Sequence, residues 1–61
     1  MLRKWRIDHS FIDDDGHVQT VTMHEYRGLE AAMHDYEVYI TLEGHYDWYT
    51  IIEITEKVIT F

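Results

Sequence analysis

No cysteine and no proline occur in this chain, serine appears once, and lysine and arginine together number five in 61 residues. Without cysteine, neither disulfides nor a thiolate metal site can staple the fold. His9, His17, His24, His34 and His45 contain no HxxxH pair that would suggest zinc. Ser10 is the sole serine, so a nucleophilic enzyme is hard to build. No run of 18 apolar residues exists, which excludes a spanning helix. Basic residues between Met1 and Arg6 run straight into Asp8 and Asp13–Asp15 with no apolar segment. A signal peptide is therefore not expected, and the cytoplasm (of a host cell, if the gene belongs to a phage) is the expected location.

The shortage of cations is the loudest feature. Twelve carboxylates face five Lys and Arg, a net charge of −7. Arg3, Lys4 and Arg6 are three of those five, so everything after them holds all the acids against only Arg27 and Lys57. Nucleic-acid backbones reward lysine and arginine through counterion release, and this surface would repel them. No direct binding of nucleic acid or membrane is expected. An acidic surface ordinarily serves solubility; its sharper use is to resemble a polyanion to a basic partner.

What is present is apolar and aromatic: 46% and 15% of the residues. A chain this short buries only about 60% of its unfolded surface, and its core supplies roughly 3–5 kcal/mol. Oligomerisation is the remaining staple, and the apolar surplus is large enough for a core and an interface. A single domain spanning residues 1–61 is expected, as a homodimer.

Trp5, Ile7 and Phe11 alternate with Arg6, Asp8 and Ser10, the period of a strand. Asp13-Asp14-Asp15-Gly16 has turn chemistry. Val18 to Tyr26 is rich in β-branched residues and reads as a second strand, closing a hairpin. After Gly28, the residues Leu29, Ala32, Met33, Tyr36 and Ile40 follow a helical period of about four turns, with Gly28 as N-cap and Gly44 as the C′ residue. Tyr36, Val38, Ile40 and Leu42 also alternate like a strand, but Ala31, Ala32, Met33 and the flanking glycines favour helix. A second stripe, Ala31, Val38 and Leu42, is left over for a partner subunit. Trp48 to Phe61 reads as strand, with a bend at Glu56-Lys57. The order β-β-α-β predicts an α+β fold: a three-stranded antiparallel sheet with one helix on a face.

Catalysis is not expected from so small a chain, which struggles to form a water-excluding pocket. A calcium loop fails in register: aligning Gly16 with the invariant glycine of an EF-hand puts Phe11 and Thr22 at the end ligands. No metal and no cofactor are therefore expected. Tyrosine and tryptophan combine apolar area with a polar tip and favour interfaces; Tyr26, Tyr36, Tyr39, Tyr46, Trp48 and Tyr49 are core by default, but heavy for that purpose alone.

The motifs Asp13-Asp14-Asp15-Gly16, Glu25-Tyr26-Arg27-Gly28-Leu29 and Asp35-Tyr36-Glu37-Val38 stand in that order. In this the chain resembles the small acidic uracil-DNA glycosylase inhibitors of Bacillus podophages, which have a similar length and no cysteine. The resemblance covers about half of the chain. It implies a homodimer whose helices meet across the two-fold axis. An apolar pocket there would capture the side chain that the glycosylase wedges into DNA, while carboxylates occupy the DNA-binding groove. The family's functional glutamate falls on Glu25 and its key phenylalanine on Tyr36. Its tyrosine four positions on falls on Ile40, with Tyr39 one position early. Tyr26 and Glu37, inside the same motifs, complete the expected partner-binding set. The expected activity is inhibition of host uracil-DNA glycosylase by DNA mimicry. The alternatives are a DNA mimic aimed at another host DNA-binding or defence enzyme, and a non-enzymatic dimeric adaptor.

Overall fold

A computed structural model of the chain describes residues 2–57 and 59. Four elements follow in order: β1 (Leu2–Ile12), β2 (Val18–Tyr26), α1 (Leu29–Ile40) and β3 (Asp47–Glu56). They form a three-stranded antiparallel sheet in the order β2-β1-β3, with the helix on one face. The α+β architecture and the β-β-α-β order are those read from the sequence. β1 starts at Leu2, earlier than its apolar alternation suggests, because it is the central strand. Leu2, Arg3 and Lys4 pair with Glu56, Thr55 and Ile54, so ladder bonds hold a segment whose own pattern is basic. β3 ends at Glu56, where the bend was expected. The strand expected over Val58 and Phe61 falls outside the described residues.

The hairpin forms as its turn chemistry requires. Gly16 carries φ +81°, a left-handed conformation that suits a residue without Cβ. Asp13 closes the turn with its side chain: one carboxylate oxygen accepts from the backbone N–H of Asp15 (3.0 Å) and of His17 (2.8 Å), the other from Gln19 Nε2 (3.0 Å). Further along, Ile7 opposes His24 and Asp8 opposes Thr22, which leaves Met23 as a β-bulge.

Strand alternation sorts the side chains onto two faces. Trp5, Ile7, His9 and Phe11 lie on the helix side with Tyr49, Ile51, His24 and Tyr26. Ile7 and Ala32 are fully buried and are the only buried apolar residues among those described. Among the described residues, no further element covers the other face. Its centre is polar and internally satisfied: Asp8, 4% exposed, accepts from Thr22 Oγ1 (3.0 Å) and Arg6 Nε (3.2 Å), and Ser10 bonds Thr20 (2.9 Å). An antiparallel sheet tolerates one wet face of this kind.

The helix differs from expectation in its end and in its orientation. It stops at Thr41, whose Oγ1 donates to the Val38 carbonyl at 2.6 Å, so Gly44 is not the C′ residue. Gly44 instead serves the next loop, donating its N–H to Asp47 Oδ1 at 2.7 Å. A Cβ there would lie 2.9 Å from that oxygen. The sheet-facing line is Ala32, Tyr36 and Tyr39, with Asp35 beside it, and Leu29, Met33 and Ile40 stay 48%, 38% and 40% exposed. The small Ala32 lets the helix approach Ile7, and the tyrosines reach the sheet that shorter side chains miss. Val38 and Leu42 are exposed as well.

Burying Ile7 contributes about 1.5–3 kcal/mol. Ile7→Ala removes that and leaves a cavity, a cost of about 2–5 kcal/mol. That approaches the whole stability of so small a core. The variant is expected to lose its cooperative urea transition by circular dichroism; an unchanged midpoint would show that the fold rests elsewhere.

Candidate functional site

The chemistry-bearing side chains gather where α1 crosses β3. Tyr39 stacks on Tyr49 (ring centroids 5.0 Å apart), Tyr49 on His9 (4.5 Å), and His9 contacts Phe11 (5.6 Å). This aromatic row runs from the helix down the helix-side face of the sheet. Its far end is pinned by the 43–47 loop. Asp47 Oδ2 accepts from His9 Nε2 at 2.9 Å, and Glu43 Oε1 accepts from the Tyr49 N–H at 2.8 Å. The His9 bond, followed by the Gly44 N–H, holds the Asp47 carboxyl below its ordinary value of 3.8. Stability from that carboxylate is therefore fully present above pH 3.8 and is lost as pH falls through the lowered value.

Of the expected partner-binding residues, three lie together beneath the helix. Tyr26 is half-buried and donates its hydroxyl to Asp35 Oδ2 at 2.5 Å; Tyr36 is half-buried with its hydroxyl 3.4 Å from the Tyr49 carbonyl; Tyr39 joins the aromatic row. Ile40, one position and about 100° further round, leaves that row for the exposed flank. Leu29, Met33, Tyr36 and Ile40 share this flank at helical spacing. Its direction is set by two bonds: Asp35 reaches β2 through Tyr26, and Tyr36 reaches β3 through Tyr49. The flank therefore lies on the β3 side of the helix. Glu37 and Glu30 border it toward solvent, both exposed.

Glu25 is not with them. It pairs with Arg6 in the ladder, which places it on the face away from the helix. The sequence puts Glu25 near the helix start, and it is near along the chain. Strand alternation nevertheless sends it to the opposite side from Tyr26. His9, Glu43, Asp47 and Tyr49 escaped the sequence reading as a group. Only the β1–β3 register brings His9 to Tyr49, and that pairing is not written in either strand's own pattern.

Two other features draw the eye and do not form this site. Asp13, Asp15 and His17 bring their ligand atoms within 4.8 Å of one another, but the Asp13 carboxylate already closes the turn. A recess of about 410 Å³ lined by Leu2, Arg3, Lys4 and Arg27 opens at the opposite end of β1. Antiparallel order gathers Arg3, Lys4, Arg6, Arg27 and Lys57 at that end, where Arg3 approaches Glu53 (3.7 Å) and Lys4 approaches Glu56 (3.3 Å). It is cationic, unlike the aromatic pocket with an anionic rim that the resemblance implies. Comparison with family models, curated proteins and solved structures yields no match.

Burial, and then the Asp35 carboxylate, push the Tyr26 hydroxyl up to about 12 from 10.0. A raised folded value means the contribution is whole below pH 10 and fades as pH rises toward 12. The urea midpoint should fall across that interval in the wild type. In Tyr26→Phe it should fall less, and parallel curves would detach the Tyr26–Asp35 bond from stability.

Proposed function

We propose that this chain is a non-enzymatic protein inhibitor that occupies the DNA-binding site of a host uracil-DNA glycosylase, acting in the cytoplasm as a homodimer. The observation that carries the reading is the exposed apolar flank Leu29–Met33–Ile40 beside the half-buried Tyr36, bordered by Glu30 and Glu37, on a chain of net charge −7. A base-flipping enzyme meets DNA through a positive groove and an inserted apolar side chain. A surface that offers apolar contact inside an anionic border answers both at once. The resemblance of the ordered motifs to those of the podophage inhibitors supports the choice of target.

In this reading the flanks of two copies face each other, and the cleft between them receives the wedge side chain. Tyr36 forms its wall and Ile40 its lip. Glu30 and Glu37 attract the groove's cations from the rim. Glu25 acts from the other face of the sheet, so it meets the target only where the enzyme reaches round the end of β2.

A uracil-excision assay with purified glycosylase tests this. Stoichiometric inhibition is expected at low salt, weakening as ionic strength rises. Tyr36→Ala should cost about 2 kcal/mol or more in binding, mainly through faster dissociation, with the fold checked by circular dichroism. Glu37→Gln should lose less, and its deficit should shrink at high salt. A folded Tyr36→Ala protein that inhibits fully would end the pocket reading. Full excision in the presence of excess wild-type protein would end the glycosylase reading and favour a different DNA-binding target.

A further inference from the structure

The sheet lacks one corner. β2 ends at Tyr26, opposite Trp5, and the chain turns off through Arg27 and Gly28 into the helix. β1 runs on to Leu2 with only β3 beside it. Two bonds fix which way its main chain points there. The Ile12 N–H donates to the Tyr46 carbonyl on the β3 side, and the Asp13 N–H donates to the His17 carbonyl on the β2 side. Alternation along an antiparallel strand is strict, so the odd-numbered residues of β1 turn their N–H and C=O groups toward β2. Arg3 is one of them, and β2 has already ended where it stands. No main-chain bond joins it to Gly28, and its N–H opens onto the missing corner.

That corner is the recess of about 410 Å³ lined by Leu2, Arg3, Lys4 and Arg27. A smaller recess of about 210 Å³ adjoins it, lined by Lys4, Glu25, Tyr26 and Arg27. Lys4 and Arg27 belong to both, so they stand at the centre. Arg3 and Lys4 meet Glu53 and Glu56 in exposed pairs, contacts of little strength. Arg27 is exposed and has no carboxylate within 4.0 Å among the described residues. Three of the five cations of an acidic chain thus line one hollow. Their mutual repulsion opposes that arrangement, and an anion between them relieves it.

We infer that this corner binds a small phosphate monoester. Phosphate rather than carboxylate follows from the donors. The guanidinium groups of Arg3 and Arg27 are planar forks that each take two oxygens, Lys4 adds a point charge, and the Arg3 N–H adds a further donor. A carboxylate brings two oxygens and one charge, whereas a phosphate monoester brings three oxygens and a charge of about −1.5 to −2. An ester rather than the bare ion follows from the space. The larger recess has the size of a pocket for an organic ligand, and Leu2, 55% exposed, gives it an apolar wall. A small ligand rather than a polymer follows from the remaining charge. Asp8, Glu25, Glu53 and Glu56 lie among the cations, and the other eight of the twelve carboxylates belong to the turn, the helix and the 43–47 loop. They repel a strand of phosphates, while a single phosphate meets the cationic corner alone. The inference holds whatever the target of the helix flank is.

An NMR titration of the isotope-labelled chain, read at its backbone amides and arginine side chains, tests this with phenyl phosphate as the probe. Saturable shifts are expected at Arg3, Lys4 and Arg27. Inorganic phosphate should bind more weakly, and dimethyl phosphate, a diester, should give no saturable shift. Arg27→Gln should weaken phenyl phosphate binding at least about tenfold, the worth of one hydrogen bond to a charged group, and Arg27→Lys should restore part of the loss. An unchanged urea midpoint in both variants separates lost binding from lost fold. A short oligonucleotide with a terminal phosphate distinguishes a free ester from a nucleic-acid end: tighter binding by it than by phenyl phosphate overturns the small-ligand assignment. No saturable shift at the three cations, an equal response to the diester, or an Arg27→Gln titration that matches the wild type overturns the site itself. No glycosylase is present in this titration, so its failure leaves the proposed inhibition standing.

Discussion

The burial of Ile7 and Ala32 between helix and sheet is the point on which this fold turns. Ile7 lies in the middle of the central strand, and Ala32 is small enough to let the helix backbone come down on the sheet. Both are sealed from solvent. Every other apolar side chain described keeps part of its surface in solvent, in a Cα envelope only 11 Å in its shortest dimension. One sheet layer and part of a helix layer cannot enclose more. The tyrosines extend the core sideways, using ring stacking and hydroxyl bonds where a larger domain would use a second shell of leucines.

The charge distribution follows from the same topology. Arg3, Lys4 and Arg6 look like a basic head in the sequence, yet they become the middle strand of the sheet. Glu53 and Glu56 of β3 flank them on one side and Glu25 of β2 on the other. The exposed pairs contribute little to stability. Their effect is to offset part of the positive charge at that end of the sheet and leave the acidity uncompensated along the helix and the loops. A composition that totals −7 therefore understates how one-sided the surface is.

The sheet, its order and the helix were legible because each rests on local signals: β-branched alternation in β2, Gly16 in the turn, and Gly28 before an alanine-rich run. The faces of the helix were not. Leu29, Met33 and Ile40 satisfy the same period as Ala32, Tyr36 and Tyr39, and hydrophobicity alone favours the former as core. Two polar bonds decide the rotation, Tyr26 to Asp35 and Tyr36 to the Tyr49 carbonyl. Neither partner is visible until the strands are registered. Glu25 shows the same limit: proximity along the chain suggested a shared site with Tyr36, and a strand's two-residue period separated them.

Under the proposed reading, an acidic protein that also pairs with itself faces opposing demands on ionic strength. Joining two copies doubles the −7 charge, and that repulsion is relieved by salt. Attraction to a cationic groove is weakened by the same salt. Inhibition through a dimer should therefore depend on salt less steeply at low protein concentration, where added salt also restores the assembled form. Apolar burial between the helix flanks of two copies would be insensitive to this screening. Such a contact suits the proposed self-association, which would have to survive the electrostatics of the proposed function. In that reading an apolar joint and a charged rim divide the two tasks within one small chain.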